Sequence, residues 1–319
     1  MPPASTAERR ASALDFARAP SRAPQPVPAA TGARWPVELR SITVLGELSE
    51  ASDIALQRAA ALAAAHGARL RLLGWAGRGD IADGLLRARL SRMARRAARR
   101  SQVPVELADT PMRGLREVLG ELRDADLVVT ANRRSDGLAS FWRPNPAVRL
   151  ASVLPVPLLV VNEPCGLAYH EVLAAVDLQA EPERLASWAL ALAGDAEVAL
   201  LHVLRQWRPS KRAGHDGLHM LERDLRRRVT RLERVVDAVG PQAERLRMML
   251  ALGDDVAAEL LARRPGAGSQ LIVIGRSTEA PWLDALLGSV SRSVLRASPY
   301  DVLVVPVASA LMPAAQGGA

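Results

Sequence analysis

Two stretches of this chain can be laid over each other without a gap. A shift of 144 residues carries the run 127–130 (LVVT) onto 271–274 (LIVI), Pro155 onto Pro299, and the run 158–161 (LLVV) onto 302–305 (VLVV). Each run is short, unbroken and rich in Val, Ile and Leu, the pattern of a strand covered on both faces in a parallel sheet. In the second copy Gly275 is expected to end the first strand. Gly288 and Ser289 open a helix whose Val290, Val294 and Leu295 share one face, and Pro299 stops it before the next strand. Such a strand, loop, helix and strand presents free N–H groups and a positive dipole end where the helix begins, an arrangement that favours anions.

The same alternation runs through the whole chain from residue 40. Strands are predicted over 42–45, 70–73, 103–107, 126–130 and 158–161, with helices over 53–66, 85–100, 114–122 and around 148–153. The order then repeats: strands over 172–176, 198–204, 246–252, 271–274 and 302–305, with helices over 181–193, 217–239 and 255–263 and the one after Gly288. Strands alternating with helices imply a mostly parallel sheet covered on both faces, and two such sets imply a duplicated domain. The fold class read here is α/β, as two tandem five-stranded sheets. The expected boundaries are a disordered arm over 1–36, one domain over 37–163, a linker over 164–170, a second domain over 171–308 and a disordered tail over 309–319.

A length of 319 residues allows both domains a core of their own, and with 3% aromatic residues those cores fall to Leu, Val and Ala. No apolar run reaches the length of a membrane-spanning helix. The arm, rich in Ala, Pro and Arg, lacks the continuous apolar segment of a secretory signal. Cys165, the only cysteine, excludes an internal disulfide and fits a reducing cytoplasm. The net charge of +8 is carried almost wholly by arginine, since Lys211 is the only lysine. Seven arginines lie within 85–100 (Arg87, Arg89, Arg92, Arg95, Arg96, Arg99 and Arg100), and this basic helix is read as a solvated face in preference to a polyanion site. No zinc-finger spacing or aromatic platform accompanies it, so nucleic acid is not an expected partner.

Other constellations carry less. His215 and His219, four apart, have no third metal ligand nearby, and His202 at a strand end is read as a packed residue. No G-x-S-x-G elbow, paired-carboxylate motif or Walker A lysine is present, and G-x-G-x-x-G follows the first strand of neither half. Trp282, Leu283, Leu286 and Leu287 are read as a lid or packing segment in the loop before Gly288.

Taken together, order and spacing over about 40–307 resemble tandem universal stress proteins, whose domains are five-stranded adenine-nucleotide-binding α/β sandwiches. That family's motif is Gly-x2-Gly-x9-Gly-Ser/Thr. Here it reads Gly275, Arg276, Ser277, Thr278, nine residues, then Gly288 and Ser289, with Thr278 in place of the second glycine. Asp177 closing the first strand of the second half, the Leu201, His202, Val203 end of the next, and Gly253, Asp254, Asp255 before a helix also agree. The resemblance implies that Asp177, Val203 and Leu204 flank adenine and ribose. It implies that Gly275, Gly288, Ser289 and Val290 hold ribose and phosphates, with Arg276 adding charge and Thr278 lining the loop. A positive φ at position 278 would strain a threonine.

In the first half the shift puts Ala131, Arg134, Pro144 and Asn145 at the motif positions, and the first strand ends Leu45, Gly46, Glu47 without the Asp. A proline there removes an N–H and glycine's freedom together, so this half is read as degenerate for nucleotide. A different ligand near Arg133, Arg134 and Arg143 is left open. The expected function is a cytoplasmic stress-response sensor binding ATP in its second half, with Mg2+ open, and with catalysis limited to slow ATP hydrolysis at most. The alternative is a nucleotide-free scaffold for protein or nucleic-acid partners. By the same resemblance, the last strands of the two halves, 158–161 and 302–305, are expected to pair as an intramolecular pseudo-dimer.

Overall fold

The computed structural model describes residues 13–15, 37–47, 49–75, 83–109, 111–122, 124–132, 145–162, 168–204, 214–263, 270–278 and 287–308. Eleven strands form one sheet. They are β1 (Ala13–Asp15), β2 (Ser41–Gly46), β3 (Arg69–Gly74), β4 (Val105–Leu107), β5 (Leu127–Ala131), β6 (Leu158–Val161), β7 (Glu171–Ala175), β8 (Val198–Leu204), β9 (Leu246–Leu252), β10 (Gln270–Ser277) and β11 (Asp301–Val307). The helices are α1 (Glu50–His66), α2 (Asp83–Ser101), α3 (Leu115–Glu121), α4 (Pro146–Val153), α5 (Pro182–Leu192), α6 (Gly214–Val239), α7 (Val256–Ala262) and α8 (Ser289–Ala297).

Within the sheet the order is β1-β9-β8-β7-β10-β11-β6-β5-β2-β3-β4. All pairs are parallel except β1 with β9 and β6 with β11. Each half therefore starts at an inner strand, β2 or β7, grows outward by two strands, and then crosses back to the other side. That crossing leaves a switch point between β2 and β5 and another between β7 and β10, where the carboxyl ends of adjacent strands open onto a crevice. The internal repeat extends to register. Val128 faces Leu158 in one half, and the 144-residue shift carries that pair onto Ile272 facing Val302 in the other.

The two five-stranded sets are joined into one sheet by β6 and β11, the strands expected to meet, which pair antiparallel (Val302 with Val160, Leu303 with Leu159). Two expectations are corrected. β10 does not end at Gly275. Gly275, Arg276 and Ser277 continue the ladder against Val305, Pro306 and Val307, since β11 offers them a buried apolar partner to its last residue. Within the stretch read as an arm, residues 13–15 add a strand along β9, which would otherwise be an open edge of unpaired backbone groups. The rest of 1–36, the tail 309–319, Cys165, and the loops holding Arg133, Arg134, Arg143, Trp282, Leu283 and Leu286 lie outside the described residues.

Helices cover both faces because parallel strands carry apolar side chains on each. α1, α2, α5 and α6 pack one face through Leu56, Leu86, Leu185 and Leu232; α3, α4, α7 and α8 pack the other through Val118, Leu150, Leu260 and Val294. α2 meets its expectation of a one-sided apolar stripe, burying Leu86, Leu90, Met93, Ala94 and Ala97 and leaving its arginines outward.

Candidate functional site

Asp177, Val203, Leu204 and Gly275 lie at or near the carboxyl ends of β7, β8 and β10, and Gly288, Ser289 and Val290 open the helix that follows β10. β7 lies between β8 and β10, so the carboxyl ends of these three strands are neighbours at the usual strand spacing of about 4.8 Å. Asp177 follows β7 by two residues and is exposed. Its carboxylate accepts the Gln179 N–H at 3.0 Å, closing an Asx turn. On the adjacent β8, Leu204 is buried and Val203 half-buried.

Gly275 is tightly placed. A Cβ there would lie 3.2 Å from the Val307 side chain, a contact tight enough that Val307 would have to give by a few tenths of an ångström, and 3.5 Å from Leu185 of α5, an ordinary packing distance. Its carbonyl accepts the Ser291 hydroxyl at 3.0 Å, which pins the first turn of α8 to the end of β10. Gly288 is the N-cap of α8. It brings no side chain to cap the helix, its φ is −51°, and nothing lies within 4 Å of where a Cβ would stand. Gly288 and Ser289 are exposed and Val290 is half-buried. The helix thus turns its positive end outward at the switch point, beside open space.

Thr278 carries none of the backbone strain that a positive φ would impose, since among the described residues only Gln102 and Glu181 combine a positive φ with a side chain. Its N–H and its hydroxyl both donate to the Val307 carbonyl, at 3.0 and 3.3 Å, which ends the ladder in an orderly way.

Arg276 stands elsewhere. Its guanidinium donates to the Leu154 carbonyl at 2.7 Å and to the Ser152 carbonyl at 3.4 Å, at the carboxyl end of α4 in the other half. That is the negative end of a helix, which suits a cation. Half-burial lowers the Arg276 pKa from its usual value through desolvation. This residue ties the halves together, in contrast to the phosphate-side role expected of it. The 144-residue shift pairs it with Asn132, which reaches the opposite way, to the Leu295 carbonyl in α8 at 3.3 Å.

The crevice of the first half is built differently. Asn145 caps α4 with its own side chain, accepting the Ala147 N–H at 2.9 Å, and Pro146 follows. The Asn145 amide also donates to the Asn132 side chain at 3.0 Å, and Asn132 donates to Asn162 at 2.7 Å. Where α8 opens with a bare glycine, α4 opens with a capped amide network.

Several contributors were not legible from local sequence. His202 is buried, and its Nδ1 lies 2.9 Å from the Val176 carbonyl while Nε2 lies 2.8 Å from the Arg228 guanidinium. A donor on one side and an acceptor on the other specify a neutral ring with the proton on Nδ1. Desolvation, foremost, holds its pKa below the ordinary 6.5; the Val176 hydrogen bond raises it and the Arg228 charge lowers it. His202 is therefore a packed, bonded residue, as expected, which locks the end of β8 to the end of β7 and to α6. Glu181, in the β7–α5 loop beside the crevice, has φ 31° and ψ 54°. Its carboxylate accepts the Ala308 N–H at 2.7 Å, and the following Pro182 disfavours the ordinary helical conformation at this position. Positive φ on a side-chain-bearing residue costs of order 1–3 kcal/mol and often marks a functional loop. Asp255 caps α7, accepting from Ala257 at 2.9 Å and Ala258 at 3.2 Å.

Among the described residues no group of three metal-binding side chains occurs, and no helix is long and apolar enough to cross a membrane. His219 is exposed, with Glu222 at 3.9 Å.

Residues 168–306 match the model of the Universal stress protein family. No curated protein matches the chain. Among solved structures, a functionally unknown protein from Pseudomonas aeruginosa PAO1 superposes with a TM-score of 0.60 at 21% identity, covering 84% of this chain and 92% of that one. A universal stress protein from Archaeoglobus fulgidus DSM 4304 superposes with a TM-score of 0.57 at 18% identity, covering 83% and 96%. At such identities the likeness is one of fold, and it extends across both halves.

Proposed function

We propose, from the universal stress protein domain over 168–306, that this chain is a cytoplasmic stress-response sensor that binds an adenine nucleotide, ATP, in its second half. One observation carries the reading: α8 begins at an exposed, uncapped Gly288 at the β7–β10 switch point, while its counterpart α4 is capped by Asn145 and Pro146. Phosphates would meet the helix start at Gly288, Ser289 and Val290. Adenine and ribose would lie towards Asp177, Val203 and Leu204, with Gly275 beneath. The open space at Gly288 and the unstrained backbone of Thr278 fit such a ligand.

The first half, in this reading, is a second universal-stress-like domain that has lost its phosphate cradle and serves as an intramolecular pseudo-dimer partner. Binding would act by biasing conformation rather than by turnover. α8 and β10 touch the first half through the Asn132–Leu295 and Arg276–Leu154 hydrogen bonds, so a ligand bound at the start of α8 would be felt there.

The alternative of a nucleotide-free scaffold is favoured by the engagement of Arg276 with α4, which leaves its charge unavailable to a phosphate. Equilibrium titration with ATP distinguishes the two. A valine at position 288 meets no atom of the described residues within 4 Å at its Cβ, so Gly288→Val is expected to cost only the loss of a favoured N-cap residue, about 1 kcal/mol, and to leave the fold intact. Its branches would stand where a phosphate approaches the helix start. The expected result is ATP binding by the parent, at least about tenfold weaker in the variant, or about 1.4 kcal/mol. Absence of ATP binding by the parent, together with no adenine absorbance in the purified protein, would overturn the proposal.

A further inference from the structure

We propose that the outward face of α2, where it meets α1, is a binding site for a linear polyphosphate chain. It lies on the opposite face of the sheet from α8 and in the other half, so it is independent of the nucleotide reading.

Arg89, Arg92, Arg95, Arg96 and Arg99 line one concavity of about 470 Å³, shared with Met93 and with Asp53 of α1. The nearby acids of this region are engaged by other arginines. Asp83 pairs with Arg113 at 2.7 Å and Asp109 with Arg87 at 3.2 Å. Among the described residues none of the five lining arginines has an acidic partner within 4 Å, so Asp53 alone offsets five guanidinium groups. The Arg89 Nε is in addition shielded from solvent with no hydrogen-bond partner among the described residues. Five guanidinium groups around one hollow with a single carboxylate among them leave it strongly electropositive and give it an excess of hydrogen-bond donors. A polyanion in the hollow answers both.

Spacing and lining select the kind of anion. Arg89, Arg92, Arg96 and Arg99 follow one another at three, four and three residues, forming a ridge about 15 Å long at 1.5 Å per residue. Arginine's planar fork suits phosphate oxygens, and a row of forks suits a row of phosphates. Neither α1 nor α2 contains an aromatic residue, so no surface is offered for stacking a base. The lining also lacks any Asn or Gln, so it has no amide to pair with adenine. A flexible chain of phosphates without bases meets these conditions better than a single-stranded or a double-stranded nucleic acid.

The test uses the full chain and fluorescently labelled inorganic polyphosphate, with oligothymidylate and duplex DNA of matched charge as competitors. If about four phosphates are neutralised, affinity should fall about 50-fold between 50 and 200 mM salt, taking the single-strand coefficient of about 0.7 per phosphate. Arg92→Gln/Arg96→Gln/Arg99→Gln should weaken binding at least about tenfold at 50 mM salt and cut the salt slope from about 2.8 to about 0.7. The same loss of charge on α6, Arg223→Gln/Arg226→Gln/Arg227→Gln, should leave binding within about twofold, since these exposed residues lie on another helix. Circular dichroism verifies folding; should the triple variant unfold, Arg96→Gln and Arg99→Gln singly should each lower the slope by about 0.7. The proposal fails if polyphosphate binding is absent or salt-insensitive, if the α6 variant loses as much as the α2 variant, or if either DNA displaces polyphosphate preferentially.

Discussion

Asp301 opens β11 with its side chain wholly enclosed, and removing its carboxylate tests what joins the halves. Its Oδ2 accepts from Arg58 Nε at 3.1 Å and from the Tyr169 hydroxyl at 2.7 Å, and its Oδ1 accepts the Asn162 N–H at 2.8 Å. Arg58, on α1 of the first half, is 1% exposed, Asp301 is 0% exposed, and the guanidinium also lies 4.3 Å from the centre of the Tyr169 ring. Asp301→Ala would remove, from the enclosed interior, the carboxylate that Arg58, Tyr169 and Asn162 share. Breaking one side of a buried pair costs about 3–5 kcal/mol, and the lost hydrogen bonds overlap with that cost rather than adding to it in full. Against a typical total stability of about 5–15 kcal/mol this is a large fraction. It corresponds to a fall in Tm of about 6–20 °C at about 2–4 °C per kcal/mol.

The assay is urea unfolding followed by far-ultraviolet circular dichroism, with thermal melting alongside. Arg58→Met/Asp301→Leu should recover a good part of the loss, because it replaces the two buried charges together with apolar side chains. The double-mutant cycle then reads the coupling directly. A loss below about 1 kcal/mol for Asp301→Ala would refute the reasoning, since it would mean that the guanidinium finds water or another acceptor in the variant.

Two further outcomes follow from the sites above. His202 is held neutral in the fold, so below its ordinary pKa of 6.5 the unfolded chain takes up a proton that the folded chain refuses. Its contribution to stability is complete above that pH and is lost as pH falls, at no more than about 1.4 kcal/mol per pH unit. His202→Gln should show a shallower fall between pH 7 and 5 in urea unfolding, and equal slopes would count against a neutral buried ring. Asn145→Ala removes the cap of α4 and one link of the Asn132 network and should cost about 1–2 kcal/mol by the same measurement, with ATP binding unchanged.

The ten strands and eight helices predicted from sequence all occur, because each announces itself locally: unbroken apolar runs for strands buried on both faces, one-sided stripes for helices, and Gly, Pro or Asn at the ends. The 144-residue repeat was equally legible, and it extends to strand register because the same turn lengths separate the same strands. Misread ends have a physical origin. A glycine after an apolar run signals a break, but at Gly275 it sits tightly against the Val307 side chain of β11, and β11 keeps the ladder going for two more residues. Thr278 raised a question of strain that only the backbone could answer.

What the sequence by itself determined, then, is the alternation of elements, the fold class and the stretch that forms a helix start marked by small residues. Those follow from periodicity, chirality and capping, which act over a few residues. Tertiary structure alone decided that Arg276 serves the opposite half and that Arg58 finds Asp301 across 243 residues of chain. It also decided that the arginines of α2 gather in a hollow. Such partnerships depend on which edges and helix faces meet once the halves pack, and nothing in the spacing of the residues themselves records that.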